Sequence, residues 1–154
     1  MCLITSLINL NFLFKKICIA SDHAGLNLKE DIKNFLVNNN ISIIDIGPYD
    51  NKSVDYPDYA KKLAKRVKSK KSDLGILVCG SGTGMAISAN KIKSIRAAVC
   101  YNAMSTRLSR QHNNANIIAL GARLTNKRLS LKLVEIFLKT KFEGGRHLRR
   151  IKKI

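Results

Sequence analysis

The chain has 154 residues, a length that suits one domain with a substantial hydrophobic core. Hydrophobic residues make up 45% and charged residues 25%, which excludes disorder throughout the chain. No apolar run reaches the roughly 18 residues of a membrane-spanning helix, so an integral membrane protein is excluded as well. Aromatic residues are only 6% and Trp is absent, which argues against an aromatic stacking platform for nucleic acid.

The charge is strongly positive, with 28 Lys and Arg against 10 Asp and Glu and a formal net charge of +18. Such a value invites a nucleic-acid interpretation. However, Lys outnumbers Arg about two to one, whereas Arg dominates specific base and phosphate recognition. We therefore attribute most of the charge to composition and expect neither nucleic acid nor membrane as a partner. A basic nucleic-acid-binding protein stays open as the alternative from a different class.

The four cysteines, Cys2, Cys18, Cys79 and Cys100, form no CxxC pair, so neither a zinc site nor a redox dithiol is indicated. Cys18 and Cys100 lie in apolar runs and are predicted core residues. A reducing cytoplasm fits this usage best.

Residues 1–14 are apolar and precede Lys15 and Lys16. A secretory signal would carry its charge before the apolar run and a small-residue cleavage site after it. We therefore divide the chain into an N-terminal extension, 1–15, and one domain, 16–154. The extension is interpreted as a wrongly assigned start codon. A segment folded onto the domain stays open, as does a short membrane tether.

The rest of the chain alternates strand-like and helix-like segments. Strands are predicted at 17–20, 41–46, 73–79, 95–101 and 116–120. A helix is predicted to follow each strand. The first carries apolar residues at 28, 32, 35 and 36 on one face. The second starts at 55–57, the third ends at 90, the fourth covers 102–111 and the fifth covers 129–138. The tail, 144–154, is basic and begins with a Gly-Gly break.

This alternation predicts a Rossmann-like three-layer αβα sandwich with a five-stranded parallel sheet. Ligands of such sheets bind beyond the carboxyl ends of the strands, near the switch in strand order. We expect the chemistry in the loops after the first, third, fourth and fifth strands, and all candidate residues at that edge.

The loop after the third strand carries the clearest signal, Cys79 followed by Gly-Ser-Gly-Thr-Gly. Alternate glycines allow backbone N–H groups to face one concavity in front of a helix, which makes an anion hole. A cysteine at its edge favours the thiolate, which can act as a base beside a carbonyl or as a nucleophile. The spacing matches neither nucleotide-binding motif. A buried cysteine before a plain glycine-rich turn is an equally good interpretation.

Two polar pairs are weaker candidates. Asp22 and His23 follow the first strand and suit substrate hydroxyls or a phosphate, although a capping Asp and a surface His explain them equally well. His112 and Asn113 end the fourth helix, where a His can exchange a proton at neutral pH or simply stabilise the helix end.

The last candidates are arginines, whose forked donors suit phosphate, although a solvated basic tail is the simpler interpretation. They are Arg123 after the fifth strand and Arg146, Arg149 and Arg150 in the tail. Together the candidates indicate a phosphorylated small molecule that undergoes proton transfer.

The motifs SDHAG, CGSGTG, SRQHNNAN and EGGRH, in this order, resemble the ribose-5-phosphate isomerase type B family, which includes the subunits of galactose-6-phosphate isomerase. The resemblance runs from about residue 16 to residue 150. It implies that Cys79 is the base that moves a proton between C2 and C1 of the open-chain sugar. It implies that His112 assists ring opening and that Asn113 binds sugar oxygens.

The resemblance implies that the loop after the third strand binds the enediolate oxygen and that Ser81 is also catalytic. The loop residues are Gly80, Ser81, Gly82, Thr83 and Gly84. It implies that Asp22 binds sugar hydroxyls and that Tyr56 adjoins the site. It implies that the phosphate is bound by basic residues, some of them from the partner subunit: His23, Arg123, Arg146 and Arg150. No metal and no organic cofactor is implied. The implied assembly is a homodimer, or a tetramer built from it, with a shared site.

One branch of the family replaces the cysteine by a Glu just after the loop. Met85 occupies that position here, so the cysteine-dependent branch is implied. The predicted activity is the interconversion of ribose 5-phosphate and ribulose 5-phosphate in the non-oxidative pentose phosphate route. A hexose 6-phosphate isomerase, for instance for galactose 6-phosphate, is the alternative within this class. The single chain favours the pentose, because the galactose enzyme has two different subunits.

Overall fold

The computed structural model describes residues 12–154, which alternate strands and helices and end in a short sixth helix. The strands are β1 (Lys16–Ser21), β2 (Ser42–Asp45), β3 (Leu74–Cys79), β4 (Ala97–Val99) and β5 (Ile117–Gly121). The helices are α1 (Leu26–Asn38), α2 (Tyr56–Lys68), α3 (Thr83–Asn90), α4 (Ala103–Gln111), α5 (Lys127–Lys139) and α6 (Gly145–Ile151).

The five strands form one parallel sheet in the order β2-β1-β3-β5-β4, which confirms the predicted sheet. The chain leaves β1 towards one edge, to β2, and later leaves β3 towards the other edge. The switch in strand order therefore lies between β1 and β3. The register places Ser21 opposite Val78 and Cys79 opposite Gly121, so the ends of these central strands are level.

Helices cover both faces of the sheet, as the predicted three-layer sandwich requires. α1 and α5 pack together on one face, with α4 against α5, while α2 and α3 pack on the other. Side chains of β1 alternate between these layers: Ile17 and Ile19 join the first core, and Cys18 and Ala20 join the second. Because both faces are covered, β3 is buried over its whole length.

Local sequence explains where several helices begin. Pro57 lies in the first turn of α2, where its fixed φ suits the helix and its missing N–H costs nothing. α4 and α5 begin at asparagines whose side chains cap them: Asn102 Oδ1 accepts from Ser105 N–H and Asn126 Oδ1 from Leu129 N–H, each at 2.9 Å. The N-termini of α4 and α5 are therefore fixed by the sequence itself.

Two predicted segments differ from the structure. β4 covers Ala97–Val99 and is shorter than the apolar run 95–101, because it is an edge strand that pairs with β5 alone. No element was predicted in the basic tail, 144–154, and the structure places α6 there. Gly144 and Gly145 adopt positive φ, 67° and 52°, which turns the chain before the helix starts.

Of the predicted extension 1–15, residues 1–11 lie outside the described residues. Phe12 packs into the first core, edge-on to Phe35 with ring centroids 6.4 Å apart. The N–H of Leu13 donates to the carbonyl of Leu138 at 3.3 Å. Among the described residues, no helix is long and apolar enough to cross a membrane.

Candidate active site

The loop after β3 brings a sulfur atom to the start of a helix. Cys79, the last residue of β3, is 5% exposed, and its Sγ accepts a hydrogen bond from the N–H of Gly82 at 3.0 Å. Gly82 is the N-cap of α3 and has a φ of 81°, a conformation that favours glycine. Backbone N–H groups at a helix start can stabilise a nearby anion, and Cys79 Sγ lies within hydrogen-bond distance of one of them.

Close backbone packing fixes the loop. A Cβ on Gly121 of β5 would lie 2.8 Å from the carbonyl oxygen of Ser81, so only glycine fits there without a shift. The hydroxyl of Tyr101, just after β4, donates to that same carbonyl at 3.0 Å. Ser81 Oγ in turn accepts from the N–H of Thr83 at 3.3 Å. The loop is thus held from β4 and β5 before any substrate arrives, and the motif analysis had not singled out Tyr101.

The end of β1 lies directly beside this loop. The N–H of Asp22 donates to the carbonyl of Val78 at 3.0 Å, and Asp22 Oδ1 accepts from the N–H of Gly25 at 2.9 Å. Asp22 therefore closes its own turn, as the capping interpretation expected, and lies next to Cys79. His23 accepts from the N–H of Val54 on Nδ1 at 3.3 Å, and its Nε2 has no hydrogen-bond partner among residues 12–154.

Two larger side chains border the glycines. The ring of Tyr56, at the start of α2, packs on Gly84, where an added Cβ would lie 2.8 Å from it. The guanidinium of Arg123 lies over Gly80, with Nη1 3.3 Å from the position of an added Cβ. The N–H of Arg123 donates to the carbonyl of Gly80 at 3.0 Å. Arg123 thus places an exposed cation beside the glycine-rich loop.

His112 and Asn113 lie at the opposite end of the strands from Cys79, the amino end. α4 starts beyond the carboxyl end of β4 and runs back, so its end at Gln111 lies beside the start of β5. The Nε of Arg96, just before β4, donates to the carbonyl of Asn113 at 2.9 Å. The register puts Cys79 level with Gly121, four residues beyond Ile117, which is about 13 Å along the sheet.

The expectation that all candidate residues share one edge is therefore wrong for His112, Asn113 and the tail. The physical reason is that a helix connecting parallel strands must run antiparallel to them, so its two ends lie at opposite edges. His112 ends such a helix, and the tail packs beside it.

His112, Glu143 and His147 form a second group of polar side chains, apart from Cys79. The rings of His112 and His147 are stacked, with centroids 4.1 Å apart and planes 7° apart. Glu143 Oε2 lies 3.9 Å from Nε2 of His112 and 3.6 Å from Nε2 of His147. Burial lowers the pKa of His147, and the neighbouring His112 and Arg146 lower it further.

A cavity of about 270 Å³ adjoins these rings and is lined by Asn113, Arg150 and the end of α6. Arg146 and Arg149 are exposed on α6. A larger cavity, about 440 Å³, opens at the same edge of the sheet near Ser72 and Arg96 and contains none of the predicted site residues.

A buried arginine joins the end of α4 to the tail. Arg110 is 3% exposed, and its Nη1 donates to Asn114 Oδ1 at 2.9 Å while its Nε donates to the carbonyl of Thr140 at 3.3 Å. The guanidinium lies over the rings of Phe14 and Phe137, 5.0 and 5.5 Å from their centroids. Burial lowers the pKa of Arg110 to about 10. This cation holds the segment that carries His112 against the segment that leads to His147.

Sequence reasoning had not assigned Glu143 or His147, although both stand in the EGGRH motif. Glu143 precedes α6 and His147 lies within it; this short helix begins at two glycines with positive φ, and no periodic pattern indicates which of its side chains face inwards. Met85, which occupies the position of the alternative Glu base, is fully buried beneath the loop in the second core. Cys79 is therefore the side chain with base chemistry that the loop itself presents.

The chain is similar to known proteins. The family model described as Ribose/Galactose Isomerase matches residues 17–154. The ribose-5-phosphate isomerase B of Escherichia coli is 42% identical over 140 residues, which cover 91% of this chain and 94% of that protein.

Two solved structures are also similar. Ribose-5-phosphate isomerase B of Clostridium thermocellum has a TM-score of 0.89 and 51% identity, covering 90% of this chain and 93% of that one. The enzyme of Mycoplasma genitalium with bound ribulose-5-phosphate has a TM-score of 0.85 and 45% identity, covering 89% and 91% of the two chains. The chain described here belongs to the ribose/galactose isomerase family.

Proposed function

We propose that the protein interconverts ribose 5-phosphate and ribulose 5-phosphate through an enediolate, with Cys79 as the base. The observation that carries the proposal is the hydrogen bond from Gly82 N–H to Cys79 Sγ at the start of α3. It holds the sulfur at the start of a helix, next to backbone N–H donors that can stabilise negative charge developing on a substrate oxygen. The E. coli relative, named as a ribose-5-phosphate isomerase B, supports this choice of substrate.

The chemistry follows from what each group can do. The Cys79 thiolate removes the proton from C2 of the open-chain aldose, and the electron pair moves onto the carbonyl oxygen at C1. N–H groups of the loop around Ser81 stabilise the resulting enediolate. The hydroxyl proton on the C2 oxygen passes to the C1 oxygen, and the thiol returns its proton to C1 as the C2 oxygen becomes the ketone. The exchange is internal to the sugar, so it requires no external oxidant and no redox cofactor.

His112 and the tail complete the site from a second copy of the chain. One chain separates His112 from Cys79 by the length of a strand, whereas proton transfer needs contact at about 3 Å. A twofold axis that brings the second group of one copy to the β3 loop of another would create two equal sites. His112 of one copy then opens the sugar ring in the site of the other. We therefore propose a homodimer as the smallest active unit.

The phosphate is proposed to lie between basic side chains of both copies. Arg123 borders the loop of one copy, while Arg146 and Arg150 stand on α6 of the other. His23 adds its free Nε2 on the first side. Replacing Arg146 by Ala is expected to raise KM more than it lowers kcat, because the phosphate anchors the substrate far from the reacting carbons. An unchanged KM would remove Arg146 from the phosphate site.

A hexose 6-phosphate is the second candidate substrate, because the family description includes galactose isomerases. The substrate class is tested by turnover of the purified protein on ribose 5-phosphate, galactose 6-phosphate and allose 6-phosphate. We expect the highest kcat/KM on the pentose. Activity on a hexose alone would keep the mechanism and change the substrate, and folded protein inactive on all three sugars would contradict the proposal.

The role of His112 has a separate test. His112→Asn is expected to slow turnover of the furanose form more than turnover of the open-chain form, because only the closed ring needs opening. Equal losses on both forms would contradict the ring-opening role.

A further inference from the structure

Three metal-ligating side chains meet in the second group. One donor atom from each of His112, Glu143 and His147 lies within 4.8 Å of the other two. The N–H of Glu143 donates to the carbonyl of Gln111 at 3.0 Å, which fixes the tail segment against the end of α4. The proposed isomerisation uses only His112 of these three, so Glu143 and His147 have no assigned role.

We propose that His112, Glu143 and His147 bind one Zn²⁺, and that the bound ion inhibits the isomerase by occupying the ring nitrogen of His112. Two imidazoles and one carboxylate form the ligand set of zinc sites that keep a fourth position open. Zinc bonds of about 2.0–2.1 Å place tetrahedral ligand atoms about 3.3 Å apart. The observed distances from the Glu143 oxygen, 3.6 and 3.9 Å, exceed this only slightly.

Closing the site requires one ring to turn. The two imidazoles are stacked with planes 7° apart, whereas a metal ion lies in the plane of each ring that binds it. The side chain of His147 is 8% exposed and fixed, while that of His112 is 37% exposed and has room to rotate. His147 is therefore the buried ligand of the site, and the more exposed side chains of His112 and Glu143 close around the ion.

The surroundings make this site reversible. Arg146 and Arg150 act on His147 as neighbouring positive charges, and they also oppose a bound cation. The nitrogen ligands disfavour Mg²⁺ and Ca²⁺, which prefer oxygen. The predicted site is thus a weak, zinc-selective inhibitory site and not a structural one. The inhibition rests on the proposed function, whereas the binding of the ion does not.

The test separates binding from inhibition. Calorimetric titration with ZnCl₂ uses Cys79→Ala protein, because the Cys79 thiolate could bind zinc by itself. Glu143→Gln is then added to that background, since Glu143 is half-exposed and its replacement should not disturb folding. We expect one Zn²⁺ per chain in the first protein and an affinity weaker by about tenfold or more in the second.

Inhibition by ZnCl₂ is measured on protein that keeps Cys79. We expect EDTA to restore activity, and Glu143→Gln to raise the half-inhibiting zinc concentration by about tenfold or more. Glu30→Gln is the matched control, because Glu30 is equally exposed on α1, and it should behave as the unaltered protein.

Zinc binding that is absent, or that is equal with and without Glu143→Gln, would overturn the proposed site. Inhibition that is unchanged by Glu143→Gln would place the inhibitory ion elsewhere and overturn the inhibitory role. Zinc binding of the expected kind in a protein without isomerase activity would support the site and overturn the proposed function.

Discussion

The separation of the two residue groups within one chain leads to a subunit-mixing experiment. Cys79→Ala removes the base at one edge of the sheet, and His112→Asn removes the ring-opening group at the other. If each site takes Cys79 from one copy and His112 from the other, a mixed dimer has one site with both groups intact and one site with both lost. Either variant alone has no intact site.

The expected recovery follows from counting sites. Random exchange between equal amounts of the two variants makes half of the dimers mixed, and half of the sites in those dimers are intact. Activity on the furanose form should therefore rise from near zero to about a quarter of that of the unaltered protein. The structural basis is the separation of about 13 Å along the sheet between the level of Cys79 and the start of β5, far beyond proton-transfer reach.

The assay is steady-state turnover after the two variants have been unfolded together and refolded, with native mass spectrometry to count mixed dimers. The control is a chain that carries both substitutions, mixed with unaltered chain, because its mixed dimers contain no intact site. Mixed dimers in the expected proportion, with activity no higher than that of the separate variants, would refute the shared site.

Two further predictions concern stability and loop geometry. The ammonium of Lys29 is fully buried and lies 2.9 Å from Asp45 Oδ1. Asp45→Asn should therefore lower the free energy of unfolding, measured in urea titrations, by about 3–5 kcal/mol. The control Asp50→Asn, at an exposed site, should change the free energy of unfolding little. Burial raises the pKa of Asp45, but hydrogen bonds from Lys33, Lys29 and the N–H of Gly47 prevail and hold this pKa below 3.8. The stability that the Asp45 carboxylate contributes should therefore be complete above about pH 4 and be lost on acidification below it. An Asp45→Asn variant as acid-sensitive as the unaltered protein would contradict this. Gly121→Ala should lower kcat by about tenfold or more, because its Cβ would lie 2.8 Å from the Ser81 carbonyl and displace the loop; an unchanged kcat would show that the position of the loop is not critical.

The sequence predicted the central strands of the sheet well because these strands are covered on both faces. β3 is continuously apolar and buried from Leu74 to Cys79, so the run of hydrophobic residues marks it directly. The loop after β3 was equally predictable, because Gly82 has a positive φ that favours glycine and because Gly121 of β5, which meets Ser81, leaves no room for a Cβ. At these positions the residue type alone indicates the local backbone conformation.

The placement of the second group was not predictable in the same way. Which edge of the sheet His112 occupies depends on the direction of α4, and the importance of His147 depends on α6, which begins after the turn at Gly144 and Gly145. Tyr101 touches the loop only because β4 and β3 both flank β5, a strand order that no local pattern encodes. These features arise from tertiary packing and not from local propensity.

The central claim is that Cys79 transfers the proton, and its most direct test is turnover of ribose 5-phosphate by Cys79→Ala. Cys100→Ala is the matched control, since Cys100 is buried in the first core and has no role in the mechanism. Thermal unfolding should confirm that both variants are folded. The account predicts that Cys79→Ala loses turnover almost completely while Cys100→Ala keeps most of it. Folded Cys79→Ala protein that retains most of its turnover would contradict the account.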